Sequence, residues 1–580
     1  MVETYPRPRF GAPREPKNLV NPGSRLVGMI DFVTASHTRA VAFLLVCGAL
    51  FFLPGFFNIP PVDRDEARFA QATKQMVETG DFVDIRFQDD VRYKKPVGIY
   101  WMQAAAVETA TALGLPKAEL RIWVYRIPSL IGAVGAVLLT YWAALAFVTR
   151  RAAVFAALMM CSCVLLSAEA RLAKTDAMLL LTVVAAMGAL ARIYLSWQRG
   201  EDPVHPPWSG PAIFWTALAC GILIKGPLIL MFAALTILTV GILDRSASWL
   251  WRLRPVWGLM WMLVLVLPWF IAIYWRAGDT FFTDSVGGDM LSKLAAQESH
   301  GAPPGVYLLL FAITFWPGAP LAGMAVPAVW RARREPGAQF LLAWLVPSWI
   351  VFELVLTKLP HYVLPLYPAI AILTVGALER RVLSRSWLTK GAAWWFAIPA
   401  LAGILAVVGA IILTRQPAFL SWPLFAAAMI FGLFAWWLYE DSYAERSFLN
   451  AIAAAVFLAL AVYGVVLPSL NTLFPSAEIA HALRNVVCVG PKAAAAGFQE
   501  PSLVFMTGTS TVLTDGSGAA DFLSQGSCRF ALVEQRSERA FVQRAEAIGL
   551  RYNVATKVDG YNISQGRAVS ISIFRSEGTE

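Results

Sequence analysis

The sequence predicts a polytopic α-helical membrane protein of about thirteen transmembrane helices, followed by a small C-terminal α/β domain. Three observations predict it. Hydrophobic residues make up 58% of the 580 residues and charged ones only 15%, against roughly 25% charged in an average soluble domain. Apolar runs recur at lengths near the roughly 20 residues that a helix needs to cross the hydrocarbon core. After Pro468 those runs become short and alternating, as in a soluble fold. An ordinary soluble enzyme is thereby excluded. A nucleic-acid binder is excluded by the placement of charge. The net charge is +10, yet residues 471–580 hold ten basic and ten acidic groups. The excess therefore sits in short loops between apolar runs rather than on one soluble face.

Residues 1–39 are rich in Pro and Arg and lack a short apolar region before a small-residue cleavage site, so they read as a disordered cytoplasmic arm rather than a signal peptide. Residues 40–470 form the transmembrane domain. Its expected spans are 40–57, 122–148, 152–168, 177–195, 210–224, 226–243, 255–275, 304–328, 338–356, 360–378, 391–413, 422–439 and 448–468. With the N-terminus in the cytoplasm, Arg150, Arg151, Arg192, Arg245, Arg252, Arg331, Arg333, Arg380 and Arg446 all fall on inner loops, as the positive-inside rule requires. Two larger pieces then lie outside, at 58–121 and 276–303. The first carries an amphipathic stretch at 66–77, a turn at Thr79-Gly80-Asp81 and a basic run at 92–95. The second holds Asp279, Asp284, Asp289, Lys293, Glu298 and His300 and reads as a flexible loop with a short helix. An odd number of spans sends residues 471–580 into the periplasm. There, short apolar runs at 502–507, 530–533 and 569–574 with a helical pattern at 540–550 indicate the α/β domain. Cys488 and Cys528 are the two cysteines outside the spans, and an oxidising compartment permits them to pair.

Ionisable residues at membrane depth cost roughly 2.5–3.5 kcal/mol each, so they are usually paired or functional. Here they gather on the outer side: Asp63, Arg64, Asp65, Glu66 and Arg68; Tyr93, Lys94 and Lys95; Glu169, Arg171, Lys174 and Asp176; Lys225; and Lys358, His361 and Tyr362. Carboxylates and lysines meeting at many helix ends suit a site that holds a phosphate and a polar substrate together. Simpler roles stand beside this one. Asp65, Glu66 and Asp176 suit helix N-termini, and Lys225 and Lys358 suit snorkelling to head groups. Against snorkelling, Gly226-Pro227 and Leu359-Pro360 break the helices directly after those lysines. No zinc spacing and no cofactor motif is present. The pair Asp63 and Asp65 offers hard oxygens to a divalent metal, which the sequence leaves open.

The run Asp65-Glu66-Ala67-Arg68-Phe69-Ala70, then Gly80-Asp81-Phe82, Tyr93-Lys94-Lys95-Pro96-Val97 and Tyr100-Trp101, resembles the first outer loop of GT-C membrane glycosyltransferases. The similarity is to the ArnT-like branch and to protein-mannosyltransferase-like relatives. Arg171 to Leu179, Lys225-Gly226-Pro227 and Lys358 to Pro365 continue it in order across about residues 60–370. The resemblance implies thirteen spans, a cavity at the periplasmic membrane face and a periplasmic C-terminal domain. It implies transfer of a sugar from a polyprenyl (undecaprenyl-type) phosphate donor to lipid A or another envelope glycolipid or glycan, at a bacterial inner membrane. Asp65 and Glu66 become the catalytic candidates; Lys95, Lys225, Lys358 and Arg68 the donor phosphate ligands; and Tyr93, Lys94, Arg171, Asp176, His361 and Tyr362 the substrate-binding groups. The chain departs from ArnT-like members, which often carry an acidic residue before the Lys-Pro pair, where Lys94 stands here. That argues against a cationic amino-sugar donor and leaves a neutral or acidic sugar open. Two other classes fit a charged cavity among many spans: a flippase of lipid-linked saccharides, and a surface-polysaccharide polymerase or ligase.

Overall fold

The computed structural model describes residues 25–201, 207–284, 302–384, 391–414, 418–439, 444–486, 488 and 490–576. Each expected apolar span contains helix within those residues, because lipid offers no partner to a free amide and a helix satisfies its own. Among the described residues eight helices are long and apolar enough to cross a membrane, or nine if one bent pair counts as a span, against the thirteen expected.

In chain order, α1 (Arg25–Thr34) meets α2 (His37–Phe52) at a sharp bend, and α3 (Asp65–Thr79) lies outside the apolar spans. A two-residue hairpin, β1 (Arg86–Phe87) and β2 (Asp90–Val91), leads to α4 (Gly98–Ala112) and α5 (Ile122–Ala144). Then follow α6 (Arg150–Ser162), α7 (Val164–Glu169), α8 (Asp176–Gln198), α9 (Ser209–Lys225), α10 (Leu228–Asp244) and α11 (Pro255–Ala277). The expectation of a disordered arm to residue 39 is corrected by α1, whose Ile30 and Val33 are buried against the main core and so order that turn of chain; residues 1–24 lie outside the described residues. Two spans are broken rather than continuous. The 152–168 run divides at Cys163 into α6 and α7, and the 304–328 run divides into Val306–Thr314 and Ala319–Arg331. Within the second outer piece, α11 continues to Ala277 and Thr280–Phe282 adds a turn pinned by Phe281 against Trp269. Asp289, Lys293, Glu298 and His300 lie outside the described residues.

Burial separates central from peripheral helices. Inside the protein, α8 buries 78% of its apolar window, whereas the helix within Gly391–Thr414 buries 17%. A central helix needs close neighbours, and a Cβ on Gly132 of α5 would stand 2.7 Å from the Ala177 carbonyl carbon. The glycine lets α5 lie directly on the start of α8.

The C-terminal domain is a five-stranded sheet, order β4-β3-β5-β7-β6, built from β3 (Lys492–Ala496), β4 (Val512–Thr514), β5 (Arg529–Glu534), β6 (Tyr552–Asn562) and β7 (Arg567–Ser576). β3 pairs in parallel with β4 and β5, and β7 runs antiparallel between β5 and β6. Side chains alternate faces along a strand. Ala493, Ala495, Phe530 and Leu532 therefore meet helices Pro475–Arg484 and Pro501–Thr507, while Ala496, Ala531 and Val533 meet Gly516–Ser524 and Gln535–Ala547. The apolar run at 502–507 is thus a helix and not a strand. Cys488 and Cys528 form a disulfide with Cα atoms 5.9 Å apart.

Helix Pro501–Thr507 inserts Phe505 among Ala70, Val107, Ile122, Tyr125 and Ala173. The soluble domain is thereby seated on α3, α4 and α5.

Candidate active site

The site is built on helix ends. α3 begins at Asp65 after Arg64, whose backbone stands at φ 71°, ψ −112° with no side-chain cap bond. A non-glycine residue there costs about 1–3 kcal/mol and persists only when its surroundings over-determine it. Much of that determination comes from Glu66. Its buried carboxylate accepts from Arg126 Nε (2.7 Å) and Nη2 (2.9 Å), from the Val62 amide (2.8 Å) and from the Ala173 amide (2.9 Å). Arg126 in turn donates to the carbonyls of Phe56, Ile59 and Pro60. Glu66, expected beside Asp65 as a catalytic candidate, makes four acceptor bonds to the framework, which is the work of a strut. Asp65, one residue earlier, is exposed.

Below Asp65 lies a buried charge cluster. Asp176 opens α8 and Lys225 closes α9, so each sits at the helix end whose dipole favours its charge, and the two form an ion pair. Lys174 Nζ is 3.1 Å from Glu169 Oε1 and 3.7 Å from Asp176 Oδ2. Burial alone would pull the Lys174 ammonium down, but Glu169, Asp176 and Asp65 outweigh it and hold it above the ordinary lysine value. His361 bridges the carboxylates, with Nδ1 3.7 Å from Glu169 Oε1 and Nε2 3.7 Å from Asp176 Oδ1. Tyr362 stacks edge-on to His361 at 5.1 Å and lies under Lys225 Nζ at 5.6 Å. Glu169 Oε2 is buried without a hydrogen-bond partner. Gly226, at φ 70°, ends α9 directly after Lys225 in a backbone form that side chains rarely adopt.

Of the expected site residues, Asp65, Asp176, Lys225, His361 and Tyr362 are brought into this neighbourhood. Lys358 is buried and donates to the carbonyls of Glu353 (2.8 Å) and Val355 (2.5 Å), capping helix Pro336–Leu354. Lys95 and Arg68 are half-buried and Lys94 is exposed. Two of the expected substrate-binding residues have structural partners of their own. The Arg171 guanidinium is spent on the carbonyls of Pro54, Ser167 and Phe51 and lies 3.9 Å from the Tyr463 ring centroid, a tether between helices. Tyr93 is buried, and its hydroxyl donates to Asp84 Oδ1 at 2.7 Å. It borders an open cavity of about 680 Å³ between α3, the hairpin and α11.

Asp63 makes its contact with the C-terminal domain. Its Oδ1 accepts the Ser502 amide at 3.1 Å, and no third ligand joins Asp63 and Asp65 among the described residues. The group that converges is Glu169, Asp176 and His361, with ligand atoms within 4.8 Å of one another. Both of its carboxylates are already matched by the Lys174 and Lys225 ammoniums, so a dication there would face two fixed positive charges. The sequence places Glu169 and Lys174 in the outer charge cluster without an individual role and gives no place to Arg126. The signal for Arg126 was present, as a lone arginine inside an apolar span, which must find a partner.

Comparisons with known proteins follow the same lines. Residues 61–280 match the family of dolichyl-phosphate-mannose-protein mannosyltransferases. An undecaprenyl phosphate-alpha-4-amino-4-deoxy-L-arabinose arabinosyl transferase from Aeromonas hydrophila is 27% identical over 64% of this chain and 66% of its own length. A protein of the same name from Pseudomonas aeruginosa is 27% identical over 69% of this chain and 71% of its own. The match to an Aeromonas salmonicida relative spans 58% of that protein, so several of these relatives are matched over less than two thirds of their length. Crystal structures of ArnT from Cupriavidus metallidurans, apo and bound to undecaprenyl phosphate, superpose with TM-scores of 0.71 and 0.72 at 20% and 18% identity. The first covers 95% of this chain and 98% of that one, the second 93% and 98%. The chain has the fold of these ArnT proteins, C-terminal domain included.

Proposed function

We propose that this ArnT-like chain of the GT-C fold is a membrane glycosyltransferase, moving a sugar from a polyprenyl phosphate to lipid A or another envelope glycolipid. The reaction would occur on the face that carries the C-terminal domain, with that domain in the periplasm and the N-terminus in the cytoplasm of an inner membrane. One observation carries the reading: the exposed Asp65 carboxylate stands within electrostatic reach of Lys174, and behind it the buried Lys174–Asp176–Lys225 group lies at helix ends on one face. The relatives named as undecaprenyl phosphate-linked sugar transferases support it.

A polyprenyl-phosphate sugar carries its own leaving group, so the protein need only stabilise the phosphate as the anomeric C–O bond breaks. Lys225 and Lys95, with Lys358 released from its carbonyls, supply that charge. The acceptor oxygen attacks the opposite face, its lone pair forms the new bond, and the electron pair of the broken one leaves with polyprenyl phosphate. An acceptor hydroxyl gives its proton to Asp65; an acceptor phosphate has none to give, and Asp65 then stabilises the cationic sugar carbon. Single displacement inverts the anomeric centre. A flippase would place its polar groups near the midplane of two repeated halves, whereas these sit at helix ends.

The test is mass spectrometry of lipid A and polyprenyl-phosphate sugars in a deletion strain carrying the wild-type or the Asp65→Asn gene. Loss of one defined sugar, with its lipid-linked form accumulating in the Asp65→Asn strain, is expected. Unchanged glycolipids would refute the transferase.

A further inference from the structure

We infer that the C-terminal domain is a working part of this active site: Asp63 and Arg64 tie it to the turn that presents Asp65, and both act as positioning residues for that carboxylate. The inference rests on the transferase reading above.

Arg64 stands in the left-handed half of the backbone map immediately before Asp65, and no side chain caps the helix there. What holds the turn comes from two sides. From the transmembrane side, Glu66 and Arg126 fix the first turn of α3 through Val62 and Ala173. From the domain side, the Ser502 amide donates to Asp63 Oδ1 at 3.1 Å, and Arg64 Nη2 donates to the Ser564 carbonyl at 2.5 Å. The two domain points are parts of one unit. Ser502 Oγ is 2.6 Å from Ser476 Oγ, and Asn562, at the end of β6, donates to Glu500 Oε1 at 2.8 Å, joining the β6–β7 turn to the start of helix Pro501–Thr507. Asp65 is thus bracketed, with Asp63 and Arg64 bound to the domain and Glu66 bound to the membrane helices.

The remaining docking contacts lie farther along. Gln71 Nε2 meets Thr509 Oγ1 at 2.8 Å, Lys74 Nζ meets the Phe505 carbonyl at 3.2 Å, and Gln88 Nε2 donates to the carbonyls of Thr509 and Thr511 at 2.9 and 2.6 Å. These seat the domain without touching the turn. Docking and positioning are therefore separable by mutation.

The experiment uses the full chain reconstituted in vesicles, the polyprenyl-phosphate sugar that accumulates in the Asp65→Asn strain, undecaprenyl phosphate as the binding probe, and amide hydrogen exchange over residues 60–70. Asp63→Ala is expected to lower kcat by about 10- to 100-fold, as a misplaced reacting group does. Undecaprenyl phosphate affinity should stay within about two-fold, and exchange at the start of α3 should rise. Asp63→Asn, which keeps an acceptor oxygen for Ser502, restores kcat and protection. Gln88→Ala is expected to loosen residues 508–511 and leave kcat unchanged. Should Asp63→Ala not yield folded protein, Arg64→Ala takes its place with Arg64→Lys as the conservative rescue. Wild-type kcat in the alanine variant, an asparagine variant as slow as alanine, or an equal loss in Gln88→Ala would each overturn the inference. An inactive wild type would refute the transferase reading instead, and the exchange data would still report whether Asp63 fixes the turn.

Discussion

Asp65 and Glu66 are adjacent carboxylates in the first turn of one helix, and their surroundings give them opposite work. Glu66 is buried and pairs with Arg126, whose remaining donors serve three loop carbonyls. Removing one member of such a pair leaves the other charged and desolvated, at a cost of about 3–5 kcal/mol. Asp65 is exposed, and its loss orphans no buried donor. Glu66→Gln is therefore expected to reduce the yield and thermal midpoint of detergent-solubilised protein, while Asp65→Asn leaves both in place and cuts turnover by about 100-fold or more. Thermal-shift and rate measurements on the same preparations separate the two. Equal destabilisation by both variants would make Asp65 a capping residue and nothing more. The sequence placed both acids correctly at a helix start, since the amphipathic run after Asp65 is plain. It did not distinguish them, because the distinction depends on Arg126, sixty positions away in sequence inside an apolar run.

At the scale of elements, the helix Pro501–Thr507 is the joint between the soluble and membrane parts, and Asp63 is its titrating contact. Burial pushes the Asp63 carboxyl up from 3.8 to about 6, the nearby Glu500 adds to the rise, and the Ser502 bonds and Arg68 oppose it. A carboxyl whose pKa is raised on folding binds its proton more tightly in the folded state. Its contribution is then complete below the unfolded value near 3.8 and is lost as pH climbs through about 6. Docking is accordingly expected to be firmer at pH 5 than at pH 7.5, by no more than about 1.4 kcal/mol. The protonated carboxyl still accepts the Ser502 amide, so the contact itself survives. Asp63→Asn should flatten this dependence, seen as the pH profile of hydrogen exchange across residues 501–507 in variant against wild type. A profile identical in the two proteins would remove Asp63 as its source. Little of this joint was legible beforehand. The apolar run at 502–507 is too short for periodicity to tell strand from helix, and its partners Gln71, Lys74 and Gln88 are ordinary polar residues whose meaning appears only when the domain is seated on them. The spans, by contrast, were legible because bilayer burial imposes one solution on the backbone.

For the molecule as a whole, the same chemistry must fall on one side of the membrane, and here the structure and the charge pattern constrain each other. Asp65, Lys174, Asp176, Lys225 and His361 belong to four separate helix ends or loops, yet they converge, and the C-terminal domain is seated on that same face through Ser502, Ser564 and Phe505. Whichever compartment holds residues 471–576 therefore also holds Asp65 and the charge cluster, and with them the proposed reaction. The opposite ends of the helices carry the arginines, with Arg151 bridging Asp31 and Glu445 and Arg380 paired with Glu335, and basic residues of that kind stay cytoplasmic. On these two facts we propose that the candidate catalytic face lies outside, where lipid-linked sugars can be used without a nucleotide donor. Alkaline phosphatase fused after Glu580 is expected to be active, and a fluorescent protein at the same position dark. A cysteine introduced at the exposed Lys94 should react with a membrane-impermeant maleimide in intact spheroplasts, and one at Arg333 should react only after lysis. The reverse pattern would leave the fold and the charge cluster intact and place them in the cytoplasm, and the periplasmic transfer to lipid A would have to be abandoned.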